Sequence, residues 1–385
     1  MQDATAMEAL ALFALIFAAV ATLLHLISTA VSLWRLRKIP STAANLPAGE
    51  RVTIIRPVCG VDPFERLTLC STFKLDYRDY DIIFCSASEQ DPVVPLVRAL
   101  MAEHPHVRAQ LLIGDDRSTP NPKLNNLMKG WRAATAPWIV MADSNVLMPK
   151  SYIDDLFQAW RPDTGLVCSP PIGSHPQGFW AELECAFLNT YQARWQLSAD
   201  AVGFGFAQGK SMLWRRHDLE QAGGIRALAL EIAEDAAATK IVRGRGKVVR
   251  LVDRPFPQPI GRRSARQVWD RQVRWARLRR ATFVPYYLME LLTGSLFPIV
   301  AGVYAAADLG IDPFLTGGVL GAIWFGAEAV LARAGGWHIS AWSPAAWLVR
   351  DLALPVLWLQ GFAGNRFTWR GTHMTVADTS AVSQS

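Results

Sequence analysis

The chain has 385 residues, 51% of them hydrophobic, with a formal net charge of +6, a mean hydropathy of +0.15 and a pI near 9.2. That charge fits nucleic acid, anionic lipid or a phosphorylated substrate, and the clustering of basic residues beside apolar runs favours lipid and phosphate. Cys59, Cys70, Cys85, Cys168 and Cys185 have no CxxC spacing and mostly fall in apolar runs, which argues for reduced core thiols and against zinc ligands or disulfides.

Residues 9–34 are almost wholly apolar, with His25 as the single ionisable group. A helix of this size reaches roughly 35–40 Å, enough to cross a bilayer with tilt. Asp3 and Glu8 precede the run; Arg35, Arg37 and Lys38 follow it. A cleaved leader carries its positive charge ahead of a shorter apolar core, so residues 1–38 read as an uncleaved anchor, with residue 35 onward in the cytoplasm. Residues 39–50, rich in small side chains and proline, read as a linker.

From Arg51 the pattern alternates. Strands are expected at 52–57, 80–86, 110–114, 138–142 and 166–169, with helices at 64–74, 93–103, 123–134 and 151–160. Such alternation predicts an α/β domain over residues 51–284, built on a mostly parallel sheet with helices on both faces.

Residues 286–307 and 314–334 are again long apolar runs, and the acidic connection 308–313 lacks a basic residue, as expected of a non-cytoplasmic loop. The run 341–363 differs, because it holds Arg350, Asp351 and Pro355. Ionised groups at a bilayer centre are costly. Arg366 and Arg370 beyond it favour the cytoplasmic side, so an interfacial or re-entrant segment is expected. Membrane segments thus occupy 285–365 and a polar tail 366–385, its residues 377–385 without fixed structure.

Five stretches carry candidate chemistry. Glu89 and Asp91 follow the second strand; Asp91 before Pro92 serves equally as a helix cap and as an acceptor for a nucleobase or ribose. Asn121-Pro122-Lys123 opens a helix, where Lys123 can meet a phosphate beside free N–H groups and Asn121 can simply cap. Asp143-Ser144-Asn145 ends the buried strand 138–142. Two oxygens so placed can hold Mg²⁺ or Mn²⁺ against a diphosphate, and with neutral Asn145 in third place the metal leans on Asp143; a solvated turn is the plain alternative. Glu234-Asp235 enters another helix, whose dipole favours an ionised carboxylate, for capping or as a general base. Residues 261–280 carry eight arginines against Asp270 alone, among them Arg271 and Arg274 beside Trp275. Arginine forks suit a leaving diphosphate, and the same charges suit a cytoplasmic flank.

In this order, the set resembles the inverting membrane glycosyltransferases of GT-A fold, whose pattern is Asp, Asp-x-x, Glu-Asp and then (Gln/Arg)-x-x-Arg-Trp. More narrowly it resembles the ceramide glucosyltransferase family. The likeness covers nearly the whole chain, and includes Gly60-Val61-Asp62-Pro63, Leu75-Asp76-Tyr77, Asp91-Pro92, Asn121 to Asn126, Asp143-Ser144, Gln221 to Gly224, Glu234-Asp235 and Arg274-Trp275. Arg271 stands at the head of the last motif and Asn145 departs from Asp-x-Asp.

The resemblance implies glucose transfer from UDP-glucose to the primary hydroxyl of ceramide, with inversion and a divalent cation, in a bacterial inner membrane. It implies Asp235 as base, and Asp143, Arg271 and Arg274 on the diphosphate. Asp91 would hold uridine with Lys123 assisting, and Trp275 would line the acceptor site. The alternative acceptors are diacylglycerol or a hopanoid. A nucleic-acid partner is not expected, since the arginines abut a membrane run.

Overall fold

The structure, a computed structural model, describes residues 2–37, 49–369 and 372–375. The chain divides into two units. One, built on a sheet, comprises Arg37–Gln177, Ala199–Arg262 and Asn365–Ser385; the other, helical, comprises Met1–Leu36, Gly178–Ser198 and Arg263–Gly364. Residues 178–198 and 263–284, expected within the α/β domain, therefore belong to the helical unit. Residues 39–48 of the expected linker 39–50 and the tail residues 377–385 lie outside the described residues.

The strands are β1 (Val52–Pro57), β2 (Tyr80–Ser86), β3 (Arg108–Ile113), β4 (Trp138–Ala142), β5 (Thr164–Cys168), β6 (Ile172–Gln177), β7 (Ser211–Arg215), β8 (Val248–Leu251), β9 (Pro257–Arg262), β10 (Arg366–Trp369) and β11 (Thr372–Thr375). The helices are α1 (Gln2–Leu36), α2 (Glu65–Ser71), α3 (Val93–Glu103), α4 (Pro122–Ala133), α5 (Tyr152–Gln158), α6 (Phe179–Ala186), α7 (Arg194–Ala201), α8 (Arg216–Glu220), α9 (Glu234–Gly244), α10 (Ala265–Thr282), α11 (Val284–Glu290), α12 (Leu296–Asp308), α13 (Pro313–Ala334) and α14 (Ser343–Phe362). A π-helical turn, Phe187–Ala193, joins α6 to α7.

Seven strands form the main sheet in the order β3-β2-β1-β4-β7-β5-β8. The pairings are parallel except those of β7, which runs antiparallel to β4 and β5. The fold is thus a GT-A-like α/β sheet, mixed through one strand that the alternation does not announce. Side chains alternate across it with the period of two that a pleated strand imposes. Ile54, Ile82, Phe84 and Val140 pack on one face with Val97 of α3 and Leu156 of α5. Ile55, Ile83, Cys85 and Met141 pack on the other with Leu124 and Trp131 of α4 and Ala238 of α9. The chain leaves β1 toward β2 and returns on its opposite side as β4, so the two meet at a reversal of strand order. The carboxyl ends at such a reversal are where open α/β sheets bind ligands. β6 and β9 make a separate parallel pair, and β10 with β11 forms an antiparallel hairpin where a polar tail is expected.

In the helical unit, residues 7–36 and α13 are long and apolar enough to cross a membrane, and α12 is a shorter apolar helix. Phe13 is 69% exposed and Phe314 91%. Side chains of this kind facing outward along such helices mark a membrane protein. Ala11, Ala14 and Ala18 begin the buried stripe of α1, which continues through His25, Ser28 and Ser32, and a Cβ added at Gly302 of α12 would lie 3.5 Å from that of Ala18. Small residues let apolar helices approach this closely.

The run 286–307 is not one helix: it breaks between α11 and α12. Asp351 of α14 accepts from the Ser295 backbone N–H at 3.0 Å and from its hydroxyl at 2.5 Å, satisfying a group that a continuous helix would pair internally. α14 runs unbroken through Pro355. Its Arg350 forks onto Glu328 of α13 at 2.7 and 2.8 Å and meets Asp351 at 2.7 Å, so these buried charges are mutually paired.

Candidate active site

Asp143 is the first residue past β4. Arg56, fully buried on β1, fixes the loop that carries it. The Arg56 Nη2 donates to the carbonyls of Asp143 and Ser144 at 2.7 Å each and to that of Val146 at 3.0 Å, while Nη1 donates to Thr68 O at 2.9 Å and to the Thr72 hydroxyl. A guanidinium offers five donors in one plane, so one side chain can gather this many acceptors. Burial lowers its pKa to about 10, which leaves it charged at neutral pH.

Each oxygen of the Asp143 carboxylate meets an ammonium: Oδ1 lies 2.6 Å from Lys123 Nζ and Oδ2 lies 2.7 Å from Lys210 Nζ. Lys123 reaches it from the first turn of α4. Asn121 caps that helix, its Oδ1 accepting from the N–H groups of Lys123 and Leu124 at 3.0 and 3.1 Å. Its Nδ2 donates to Glu234 Oε2 at 3.1 Å, so one side chain ties the starts of α4 and α9 together. Lys123 Nζ also meets Glu234 Oε1 at 2.5 Å and donates to Gly209 O at 2.7 Å. Lys210, immediately before β7, also donates to Asn145 Oδ1 at 3.2 Å.

Asp235 follows Glu234 in the first turn of α9. Its Oδ2 accepts from Gly209 N at 3.0 Å and its Oδ1 from its neighbour Ala236 N at 2.9 Å. Gly209 allows this approach, since a Cβ there would lie 2.7 Å from Glu234 Oε1 and 3.1 Å from Lys123 Nζ.

The two aspartates are tuned in opposite directions. Burial works to raise the Asp143 pKa, but Lys123 and Lys210 outweigh it and hold the carboxyl well below the usual carboxylate range. Burial works to deprotonate Lys123, and Asp143 with Glu234 reverse that and keep it firmly charged. For Asp235, burial and then the Glu234 charge push the carboxyl up to about 6, against smaller opposing pulls from Lys123 and the N–H groups of Gly209 and Ala236. The sequence reading gives the helix dipole the larger say; burial and the like charge prevail. A carboxylate so tuned is mostly ionised at neutral pH and still takes up a proton readily.

Of the residues singled out in the sequence, Lys123, Asp143 and Asp235 are gathered in one cluster, bridged by Glu234 and Gly209. Asp91 lies past β2, where its carboxylate accepts from Val93 N at 3.0 Å and from Gly60 N at 2.9 Å. It caps α3 and pins the loop after β1. Arg271, Arg274 and Trp275 lie on α10 in the helical unit. There Arg271 pairs with the buried Glu184, and its guanidinium lies 5.5 Å from the Trp275 ring centroid. Sequence reasoning does not reach Lys210 or Arg56. The signals available are Gly209-Lys210 at a strand start, and an arginine inside an apolar strand.

Among the described residues, no three His, Cys, Asp or Glu side chains gather as at a metal held by protein alone. A cation bound largely through phosphate and water oxygens needs only one or two protein ligands. The Lys210 ammonium bridges Asp143 and Asn145 and marks these oxygens as a place where positive charge is stabilised. Their chemistry fits such a cation, in exchange for that ammonium.

The chain matches the model of glycosyl transferase family 21 over residues 17–382. It is 28% identical over 381 residues to a protein named ceramide glucosyltransferase 3 of Caenorhabditis elegans, covering 96% of this chain and 81% of that one. It is 29% identical over 327 residues to a ceramide glucosyltransferase of Komagataella phaffii, covering 70% of this chain and 64% of that one. Among solved structures it is similar to a mannosyltransferase of Pyrobaculum calidifontis in complex with GDP-Man and Mn²⁺, at 19% identity and a TM-score of 0.49, covering 92% of this chain and 98% of that one.

Proposed function

The chain belongs to glycosyl transferase family 21, and from that premise we propose that it transfers glucose from UDP-glucose to the primary hydroxyl of ceramide, giving glucosylceramide with inversion at the anomeric carbon. The observation that carries this reading is the gathering of Asp143, just past the end of β4, and Asp235, in the first turn of α9, around Lys123 and Gly209. A single displacement needs a base for the incoming hydroxyl and positive charge for the departing diphosphate.

Asp235 takes the proton of the acceptor hydroxyl as the new C–O bond forms and the bond from the anomeric carbon to phosphate breaks. Its value of about 6 leaves it ionised beforehand. Lys123, kept protonated by two carboxylates, stands ready for the phosphates. Asp143 and Asn145 would hold Mg²⁺ or Mn²⁺, whose chemistry when bound is to neutralise the diphosphate. Arg271 and Arg274 add charge for UDP to leave, Trp275 lines the acceptor site, and Asp91 binds uridine. The basic helix α10 sits at headgroup level, so the acceptor need not leave the bilayer. Arg35, Arg37 and Lys38 support a catalytic unit facing the cytoplasm of a bacterial inner membrane, with the amino terminus and the 308–312 loop outside.

The test is mass spectrometry of lipids from a host without glycolipids, expressing wild type or Asp143→Ala. A single hexose on an amide-linked sphingoid lipid, absent with the variant, is expected. A hexosyl diacylglycerol or hopanoid would overturn the acceptor, and the absence of any sugar lipid would overturn the reading.

A further inference from the structure

A narrow cleft in the helical unit is lined from the π-helical turn, α10, α11 and α14. Phe187, Leu354 and Leu357 give it apolar walls, the Arg279–Glu290 ion pair lines it as well, and Gln192 and Gln272 give it two facing side-chain amides. Gln272 occupies the position after Arg271 in the motif that ends at Trp275. It is only 3% exposed. Its Oε1 faces Gln192 Nε2 at 3.5 Å, and its own Nε2 is buried with no hydrogen-bond partner.

An amide donor left buried and unpaired destabilises the protein, so such a group calls for a water, an ion or a ligand to complete it. The missing partner is a hydrogen-bond acceptor, in a cleft whose own carboxylate, Glu290, is engaged by Arg279. Exchanging the nitrogen and oxygen of the Gln272 amide changes which sign of partner is missing and leaves the need for one. A ligand that carries both signs satisfies either arrangement. A secondary amide between two alkyl chains is such a group: its carbonyl accepts and its N–H donates, while its chains lie against the walls. An ester has no N–H to offer the second amide.

We propose that this cleft is the subsite for the amide linkage of the lipid acceptor, with Gln272 donating to the acyl carbonyl and Gln192 accepting from the N–H. The proposal rests on the lipid-acceptor reading above and deepens it: these two glutamines select an amide-linked over an ester-linked lipid.

The experiment uses the full chain in nanodiscs. It measures the KM for a short-chain N-acyl sphingoid base, the KM for its N-methylated analogue, and UDP affinity by calorimetry. For Gln272→Leu, the acceptor KM should rise about ten- to hundredfold, as for a lost hydrogen bond in a buried site, with UDP affinity unchanged. On wild type, the N-methylated lipid should show a KM raised to a similar extent, which decides the matter even if the variant fails to fold. Equal KM values for both lipids on wild type would overturn the proposal and leave Gln272 holding water only. So would a wild-type acceptor KM in a folded Gln272→Leu. Glucosylation of diacylglycerol but of no amide lipid by wild type would instead overturn the acceptor reading itself, and the subsite with it.

Discussion

Lys210 Nζ donates to Asp143 Oδ2 at 2.7 Å and reaches Asn145 Oδ1 at 3.2 Å, so one ammonium occupies the oxygens that suit a divalent cation. Activity is therefore expected to require Mg²⁺ or Mn²⁺ and to vanish in excess EDTA, with Asp143→Ala inactive and Asn145→Ala weakened less. Lys210→Gln removes the competing charge. It should lower the Mn²⁺ concentration that half-saturates UDP binding, read by calorimetric UDP titrations at stepped Mn²⁺. Full activity in EDTA would dismiss the cation.

Arg271 and Arg274 should respond differently. Glu184, the partner of Arg271, is 1% exposed. Arg271→Ala leaves that buried carboxylate to Arg263 alone, 3.8 Å away, so stability should fall, by less than the about 3–5 kcal/mol of a wholly unpaired buried charge, visible as a lowered Tm. Arg274→Ala, with no such stability loss, should lose kcat by about 10²–10³-fold, the range for removing a charge aimed at a leaving group, a loss that Arg271→Ala should show on top of its lowered Tm. If purified, correctly inserted Arg274→Ala keeps the wild-type kcat, that arginine serves topology alone.

The sequence discloses β1, β2, β4 and α3 to the residue, because each is an unbroken apolar or amphipathic run bounded by turn residues. It does not disclose β7. Ser211–Arg215 is five residues inserted antiparallel between β4 and β5, and its place depends on partners more than forty residues away. With β7 hidden, the Gly209-Lys210 pair just before it goes unread as a strand start. The same reason hides Arg56, whose acceptors lie on the loop after β4. The run 286–307 misleads because composition alone does not reveal that Asp351, from a later helix, will cap Ser295. Asp143 and Asp235 are legible as carboxylates at element ends. Their opposite tuning is not, since it comes from lysines and burial that only the fold assembles.

Topology follows from the charges flanking the apolar runs. Gly310→Cys in the 308–312 loop should react with a membrane-impermeant thiol reagent applied to intact spheroplasts, and a cysteine at Arg37 should not. The reverse pattern would invert the orientation proposed above.

The last prediction concerns Asp235 and its acid limb. In the proposed reaction the acceptor is an unactivated alcohol, so its proton must pass to a base as the C–O bond forms, and the base must be ionised beforehand. Burial and the Glu234 charge raise the Asp235 pKa to about 6. Above that pH the carboxylate is available; below it the protonated form accumulates and kcat/KM should fall about tenfold per pH unit. Glu234→Gln removes the like charge, so the Asp235 pKa falls and the limb should move to lower pH. Asp235→Asn should fold, insert and bind UDP, yet lose glucosyl transfer by roughly 10²–10⁴-fold, with no limb near pH 6 in what remains. Glu234→Gln should lose less. The decisive pair of measurements is UDP affinity by calorimetry and glycolipid formation from labelled donor across pH 5–8, the span about the limb. Retained transfer in Asp235→Asn would remove it as base, and lost UDP binding would make it a donor-site residue. A Glu234→Gln limb that stays in place would show that another group sets the profile.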